Sequence, residues 1–148
     1  MSDKEVLKVK ELQITDEDGN PRITLGLDDN GNSSMKFIDS NKTARVTVGS
    51  DNKGPSSISL ADSDGETRIL AMVAENGSSY LFLYDRQGVT RLQVEVGSAD
   101  ITTIVVGGKN KKPLLKSGVD SPDGLYEQGS MSLYDSNGNM LYKAPQKY

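Results

Sequence analysis

Hydrophobic and polar residues alternate along most of this chain with a period of two. In the run 69–73, Ile69, Ala71 and Val73 fall on one side of an extended segment, and the run 81–84 alternates in the same way. Such alternation is typical of strands that bury one face, and Gly, Asn, Asp and Ser fill the intervals between the runs. The pattern predicts an all-β protein, with residues 5–12 forming either a short helix or a first strand.

A 23-residue repeat underlies this alternation. Four segments align without gaps, and the same step connects four arginines and several apolar positions. The segments begin at Asp16, Asp39, Asp62 and Asp85, the arginines are Arg22, Arg45, Arg68 and Arg91, and one apolar set is Met35, Ile58, Leu81 and Ile104. Internal repetition at a fixed period indicates a repeat architecture, and each unit here supplies two strands.

The Asp-Gly turns predict a register. If residues 18–19 form a two-residue type I′ hairpin turn, Ile14 faces Ile23, and the equivalent turn pairs Leu60 with Ile69. Apolar residues meet apolar residues in both pairs, as a half-buried sheet requires.

A second kind of turn is centred on Gly31 and its equivalents, Gly54 and Gly77. Reflection about Gly31 places Leu27 opposite Met35, and reflection about Gly77 places Val73 opposite Leu81. Both kinds of turn keep one apolar face. At 41–42 an Asn-Lys pair replaces Asp-Gly, so we expect that turn to be strained or longer.

The simplest fold is a continuous antiparallel meander of about nine strands between Leu12 and Val106. A β-solenoid with one coil per repeat is the alternative. Apolar residues make up 34% of the chain and Trp is absent, which suits one covered sheet face. Open sheet edges are a hazard, so we expect closure as a barrel or by other copies in an oligomer.

The repeat divides the chain into four segments. Residues 1–11 are a lead-in, 12–106 the repeat array, 107–124 a loop region rich in Gly, Lys and Pro, and 125–148 a C-terminal capping hairpin. The last Asp start, Asp135, lies 50 residues after Asp85, so an insertion interrupts the period. Atypical terminal units are common in repeat proteins.

Composition narrows the chemistry. The chain has no His and no Cys, which removes the usual nucleophile–base pairs, thiolate metal sites and disulfides. We therefore predict no enzyme and no cofactor. The net charge of −4 disfavours nucleic acid. We interpret the one basic cluster as a solvated loop; its members are Lys109, Lys111, Lys112 and Lys116.

The apolar runs are too short for a membrane span or a signal peptide. We therefore expect no membrane association and a cytoplasmic location on synthesis. Later inclusion in a phage or other extracellular particle is compatible with this expectation.

Acidic turns are the only candidate metal sites. Their oxygen ligands suit Ca²⁺, but Asp, Asn and Gly are also the residues that tight turns demand. Turn chemistry is the favoured interpretation, so we predict no metal. The residues that would hold Ca²⁺ are Asp16, Asp18, Asp62 and Asp64.

Two further sets are candidates for surface contacts. The arginine column shares the face opposite the apolar column with Thr24, Thr47 and Gln93; it either keeps that face soluble, forms a ladder with the turn aspartates, or binds a ligand. The tyrosines all lie in the second half, and either pack near an oligomer axis or contact protein or carbohydrate. They are Tyr80, Tyr84, Tyr126, Tyr134, Tyr142 and Tyr148.

The segments 84–88 and 134–138 resemble the Tyr-Asp repeats of Rhs-type shell proteins, which are hairpins wound into long sheets. Over 12–106 the chain is similar to bacterial proteins of unknown function with Asp-x-Asp-Gly-x-x-Arg hairpin repeats. It also resembles the strand-rich shafts of phage tail fibres, many of which are trimers.

Two functional hypotheses follow. The first is a non-catalytic structural or interaction protein that self-associates, for instance as a trimer, in a fibre or particle. The second is a module that binds carbohydrate or another ligand. The sequence does not identify a natural partner for either.

Overall fold

The computed structural model describes residues 7–97, 102–108, 112–120 and 128–144, which form twelve strands and no helix. The all-β prediction is confirmed, and β1 begins within the segment for which a helix was the alternative. The strands are β1 Glu11–Thr15, β2 Pro21–Leu27, β3 Ser33–Ile38, β4 Ala44–Ser50, β5 Ser56–Ala61, β6 Thr67–Val73, β7 Ser79–Tyr84, β8 Thr90–Val96, β9 Thr102–Gly107, β10 Pro113–Asp120, β11 Gln128–Tyr134 and β12 Met140–Ala144.

The twelve strands form one sheet whose spatial order follows the chain order. Each strand pairs antiparallel with the next. The predicted meander is confirmed, and the solenoid alternative is wrong. Within the described ranges, β1 and β12 each have a single neighbour, so the sheet is open and the barrel alternative is also wrong.

The hairpin turns differ from the predicted type I′ geometry. Asp16 accepts a hydrogen bond from the N–H of Gly19 at 3.0 Å, and its own N–H donates to the carbonyl of Asn20 at 3.0 Å. Gly19 has a φ of 82°, whereas Asp18 is not in the left-handed region. This is a type I turn followed by a left-handed glycine, a three-residue hairpin loop. The turn at Asp28 has the same bonds, so both sides of the sheet use one turn design.

A β-bulge beside each Asp-Gly turn restores the predicted register. Thr15 pairs with Pro21 but Ile14 pairs with Ile23, so Arg22 is an extra residue on β2. The bulge therefore offsets the longer turn, and the predicted Ile14–Ile23 and Leu60–Ile69 pairs are confirmed. The arginines Arg45, Arg68 and Arg91 occupy the equivalent positions.

The register predicted at the other turns is wrong by two residues. Leu27 pairs with Ser33 rather than Met35, and Val73 pairs with Ser79 rather than Leu81. The tight turn at 28–32 brings the strands together earlier than a reflection about Gly31 requires. A shift of two residues keeps every side chain on its predicted face.

The predicted loop region 107–124 instead contains a strand, β10, paired with β9 and β11. Its centre holds Ser117 where other strands carry an apolar residue, which hides it from a search for alternation. β11 and β12 form a hairpin within the segment predicted to cap the array.

The sheet is a single layer. In the described part of the chain no hydrophobic side chain is buried, and the buried polar side chains are Ser78 and Ser132. A protein domain ordinarily packs two layers around one core. The two faces of the sheet are therefore the candidate interaction surfaces.

Candidate interaction surface

One face of the sheet carries two continuous rows of apolar side chains. The first row contains Ile14, Ile23, Phe37, Val46, Leu60, Ile69, Leu83, Leu92, Val106, Leu115, Leu133 and Tyr142. The second row contains Leu12, Leu25, Met35, Val48, Ile58, Ala71, Leu81, Val94, Ile104, Ser117, Met131 and Ala144. Neither row contains a charged residue, and we call this surface the apolar face.

The apolar face is open to solvent in the single chain. Leu25 on β2 is 49% exposed, Ile58 on β5 is 50% exposed and Ile104 on β9 is 38% exposed. Strand spacing and rise give a face of twelve strands an area on the order of 1,000 Å². The largest apolar patch on a typical monomer is about 300–600 Å². The face therefore has the size and composition of an interaction surface.

The repeat aspartates stabilise the turns with their carboxylates. Asp62 Oδ1 accepts hydrogen bonds from the backbone N–H groups of Asp64 at 3.0 Å and Glu66 at 3.1 Å. Hydrogen bonds from Arg68 and from those two N–H groups hold the pKa of Asp62 below its usual value. The same arrangement recurs at Asp16, Asp28, Asp39, Asp85 and Asp135.

The arginines connect each hairpin to the next. Arg45 Nη1 lies 3.3 Å from Asp39 Oδ2 in its own hairpin, and its Nε donates to the carbonyl of Ala61 at 2.9 Å. Arg22, Arg68 and Arg91 each bond the aspartate of their own turn and a carbonyl at the following turn. The arginine–aspartate ladder considered from the sequence is therefore present. Because these pairs are partly exposed, each contributes little on its own.

The candidate calcium residues lie in pairs within separate turns. Asp16 Oδ1 accepts the N–H of Asp18 at 3.1 Å, and Asp62 Oδ1 accepts the N–H of Asp64 at 3.0 Å. Turns 16–20 and 62–66 are separated by four strands, so the two pairs do not converge. Among the described residues no group of three or more Asp or Glu side chains is placed to hold a metal. Turn stabilisation accounts for the hydrogen bonds that Asp16 and Asp62 accept.

The tyrosines do not form one cluster. Tyr80 and Tyr84 lie on β7 on the side of the sheet opposite the apolar face, which we call the polar face. Tyr142 belongs to the first apolar row. Tyr134 lies on β11 opposite a bulge on β12. Tyr126 and Tyr148 fall outside the described residues.

The lysine cluster is also divided. Lys112 donates to the carbonyl of Asn137 in the next turn, and Lys116 lies on β10 beside Val105. Lys109 and Lys111 fall outside the described residues.

Two contacts could not be found by following the repeat alone. Asn32 Oδ1 accepts the N–H of Asn52 at 2.9 Å, which bridges successive turns on the side opposite the arginines. Phe82 lies between Tyr80 and Tyr84 and joins their rings into one row. The i, i+2, i+4 spacing of these rings was the available signal for the second contact.

Neither a protein-family model nor a curated protein sequence matches this chain. The resemblance to hairpin-repeat proteins and fibre shafts therefore stays a prediction. The strands described here are accompanied by no helix long and apolar enough to cross a membrane.

Proposed function

We propose that this chain is a non-catalytic structural β-repeat protein that self-associates through its apolar face, as a component of a fibre or particle. The observation that carries the proposal is the pair of uncharged apolar rows that crosses all twelve strands without cover. A sheet needs a second layer on its apolar face to be stable in water. The absence of His and Cys supports the non-catalytic part of the proposal.

A second copy of the chain supplies that layer with matching chemistry. A face on the order of 1,000 Å² exceeds the ~800 Å² that each partner buries in a standard protein interface. Two such faces would pack about 10 Å apart, as in a β-sandwich. The charged strand residues Lys36, Glu95 and Lys116 lie on the opposite face and would stay in water.

The test compares two lysine substitutions at adjacent positions on β5. Ile58 is in the second apolar row, and Ser59 points to the opposite face. Size-exclusion chromatography with light scattering should give a multiple of the 16.0 kDa chain mass for the wild type and for Ser59→Lys. Ile58→Lys should reduce the mass, because a buried charge without a partner is costly in an interface.

Far-UV circular dichroism accompanies the mass measurement. If Ile58→Lys loses its strand signal, Ile58→Ser replaces it, since that change removes apolar area without adding charge. A wild-type chain that stays a single 16.0 kDa species at every concentration would overturn the proposal. So would equal loss of association in Ile58→Lys and Ser59→Lys.

A further inference from the structure

The polar face contains an apolar island on β6 and β7, and Val105 on β9 is a further apolar residue in the same row. Along the row that crosses this face, most strands contribute polar residues, such as Thr47 and Ser59 on β4 and β5. On β6 and β7 the row changes to Leu70 and Phe82, which pair with each other. In the neighbouring row Met72 pairs with Tyr80. Large apolar side chains on a mostly polar face do not help to keep the protein soluble. They indicate a site that contacts a ligand or partner.

Three aromatic rings give this island a defined shape. The ring centroids of Tyr80 and Phe82 are 5.6 Å apart with an interplanar angle of 10°. Those of Phe82 and Tyr84 are 6.0 Å apart at 25°. Each ring restricts the rotamers of the next, so the row is ordered before any ligand binds. A preordered site loses less side-chain entropy on binding.

Hydrogen-bonding groups lie directly beside the rings. On β8, Gln93 is the cross-strand neighbour of Phe82, and Glu95 is that of Tyr80. Gln93 Nε2 donates to Glu95 Oε2 at 3.1 Å, which orients both side chains. With Thr103, Val105 and Lys116 they line a depression of ≈ 430 Å³ over β8 to β10, next to the rings and within the size range of small-molecule sites.

We propose that the aromatic row and this depression form a binding site for a neutral saccharide. A pyranose ring has C–H faces that contact aromatic rings and hydroxyl groups that bond amide, carboxylate and hydroxyl side chains. The depression holds one carboxylate, Glu95, and one ammonium group, Lys116, so its charge is balanced. A balanced site favours an uncharged polyol over an anion or a cation.

The size of the island separates a saccharide from a protein partner. The rings occupy one strand, and their apolar neighbours occupy one more. Two strands spaced about 4.8 Å apart offer far less than the ~800 Å² that a partner protein covers in a standard interface. The site is independent of the apolar face and does not rest on self-association.

The test is an array of immobilised neutral oligosaccharides probed with the full-length chain. Any glycan retained on the array is then titrated in solution by intrinsic tyrosine fluorescence, which no Trp obscures in this protein. Phe82→Ala and Gln93→Ala should each weaken binding about tenfold or more, because each removes a direct contact. Gln13→Ala is the matched control, since Gln13 lies on the same face at the edge strand β1 and should leave affinity unchanged.

Each alternative outcome overturns the proposal. If the chain binds no neutral glycan on the array, a neutral saccharide is excluded as the ligand. Binding that Phe82→Ala and Gln93→Ala leave intact places the ligand elsewhere. If the chain binds a glycoprotein and still binds it after its glycans are removed enzymatically, the partner is a protein instead. Circular dichroism and light scattering of the variants distinguish loss of this site from loss of folding or of self-association.

Discussion

At the scale of single residues, the turn at 39–43 lacks the left-handed glycine of the equivalent hairpin turns. Lys42 occupies the site that glycine holds in the equivalent turns and has a φ of 64°. The turn keeps its length, because Lys42 N–H still donates to the carbonyl of Asp39 at 3.1 Å. Of the two predicted alternatives for this turn, the strained backbone is present and the added length is not. A left-handed conformation is unfavourable for a residue with a Cβ atom.

We predict that Lys42→Gly raises the free energy of unfolding by up to about 1 kcal/mol, because relief of the left-handed strain exceeds the added entropy of the unfolded chain. Urea denaturation measures the change. Lys53→Gly is the matched control, since Lys53 is also an exposed turn lysine but is outside the left-handed region. Equal effects of the two substitutions would show that Lys42 carries no strain.

At the scale of the hairpin, charge and backbone geometry act together. Each bulge arginine bonds a turn aspartate behind it and a carbonyl ahead of it, so successive turns are connected in a row along the sheet. The aspartates with a lowered pKa are Asp16, Asp28, Asp39, Asp62, Asp85 and Asp135. Backbone N–H groups contribute to lowering the pKa at each of them, so the turns favour the ionised form.

We predict that acid destabilises the sheet through these turns. The pKa of Asp62 is lower in the folded protein than its usual 3.8. The contribution of ionised Asp62 to the stability of the fold is therefore fully present above pH 3.8. That contribution is lost as the pH falls through the lower folded pKa. The unfolding midpoint in urea, measured from neutral pH to about pH 2, should therefore fall in acid.

The variant Asp62→Asn isolates this effect from general charge repulsion. It should be less stable than the wild type at neutral pH, because an amide accepts weaker hydrogen bonds than a carboxylate. The difference between the two proteins should shrink as the pH falls below 3.8. A difference that is constant with pH would mean that ionised Asp62 does not stabilise the turn. Asp64→Asn serves as the control, since Asp64 contributes its backbone N–H to this turn.

At the scale of the whole molecule, the chain builds one layer and leaves its apolar rows without a partner. Leu25, Ile58 and Ile104 lie on strands across the sheet and remain between one third and one half exposed. Hydrophobic burial is the main favourable term in folding, and a single layer obtains little of it. Stability of the fold therefore depends on cover for the apolar face.

We predict that the thermal unfolding midpoint rises with protein concentration, because association that occurs only in the folded state stabilises that state by mass action. Differential scanning calorimetry over about a hundredfold concentration range measures the trend. Ile58→Ser should reduce the dependence of the midpoint on concentration, and Ser59→Ala on the opposite face should leave that dependence unchanged. A midpoint that is independent of concentration in the wild type would contradict cover by other copies.

Sequence patterns predicted most of the fold through local rules. Alternation identified the strands, and the 23-residue step identified equivalent positions. The prediction failed where local signals were weak or compensated. The type I turn escaped notice because the bulge at Arg22 restores the register. Strand β10 escaped because Ser117 replaces an apolar residue in its alternation, and because the Gly, Lys and Pro content of residues 107–124 indicated a loop.

The sequence by itself determined which side chains share a face, because side chains in a strand alternate whatever the strand pairs with. It also located the Asp-Gly turns of the array, since Asp and Gly act through bonds within five residues. Only the tertiary structure decided that the sheet stays open and single-layered. Only that structure connected Arg45 to Ala61. This contact joins two successive hairpins, so its geometry depends on pairing that no local pattern specifies.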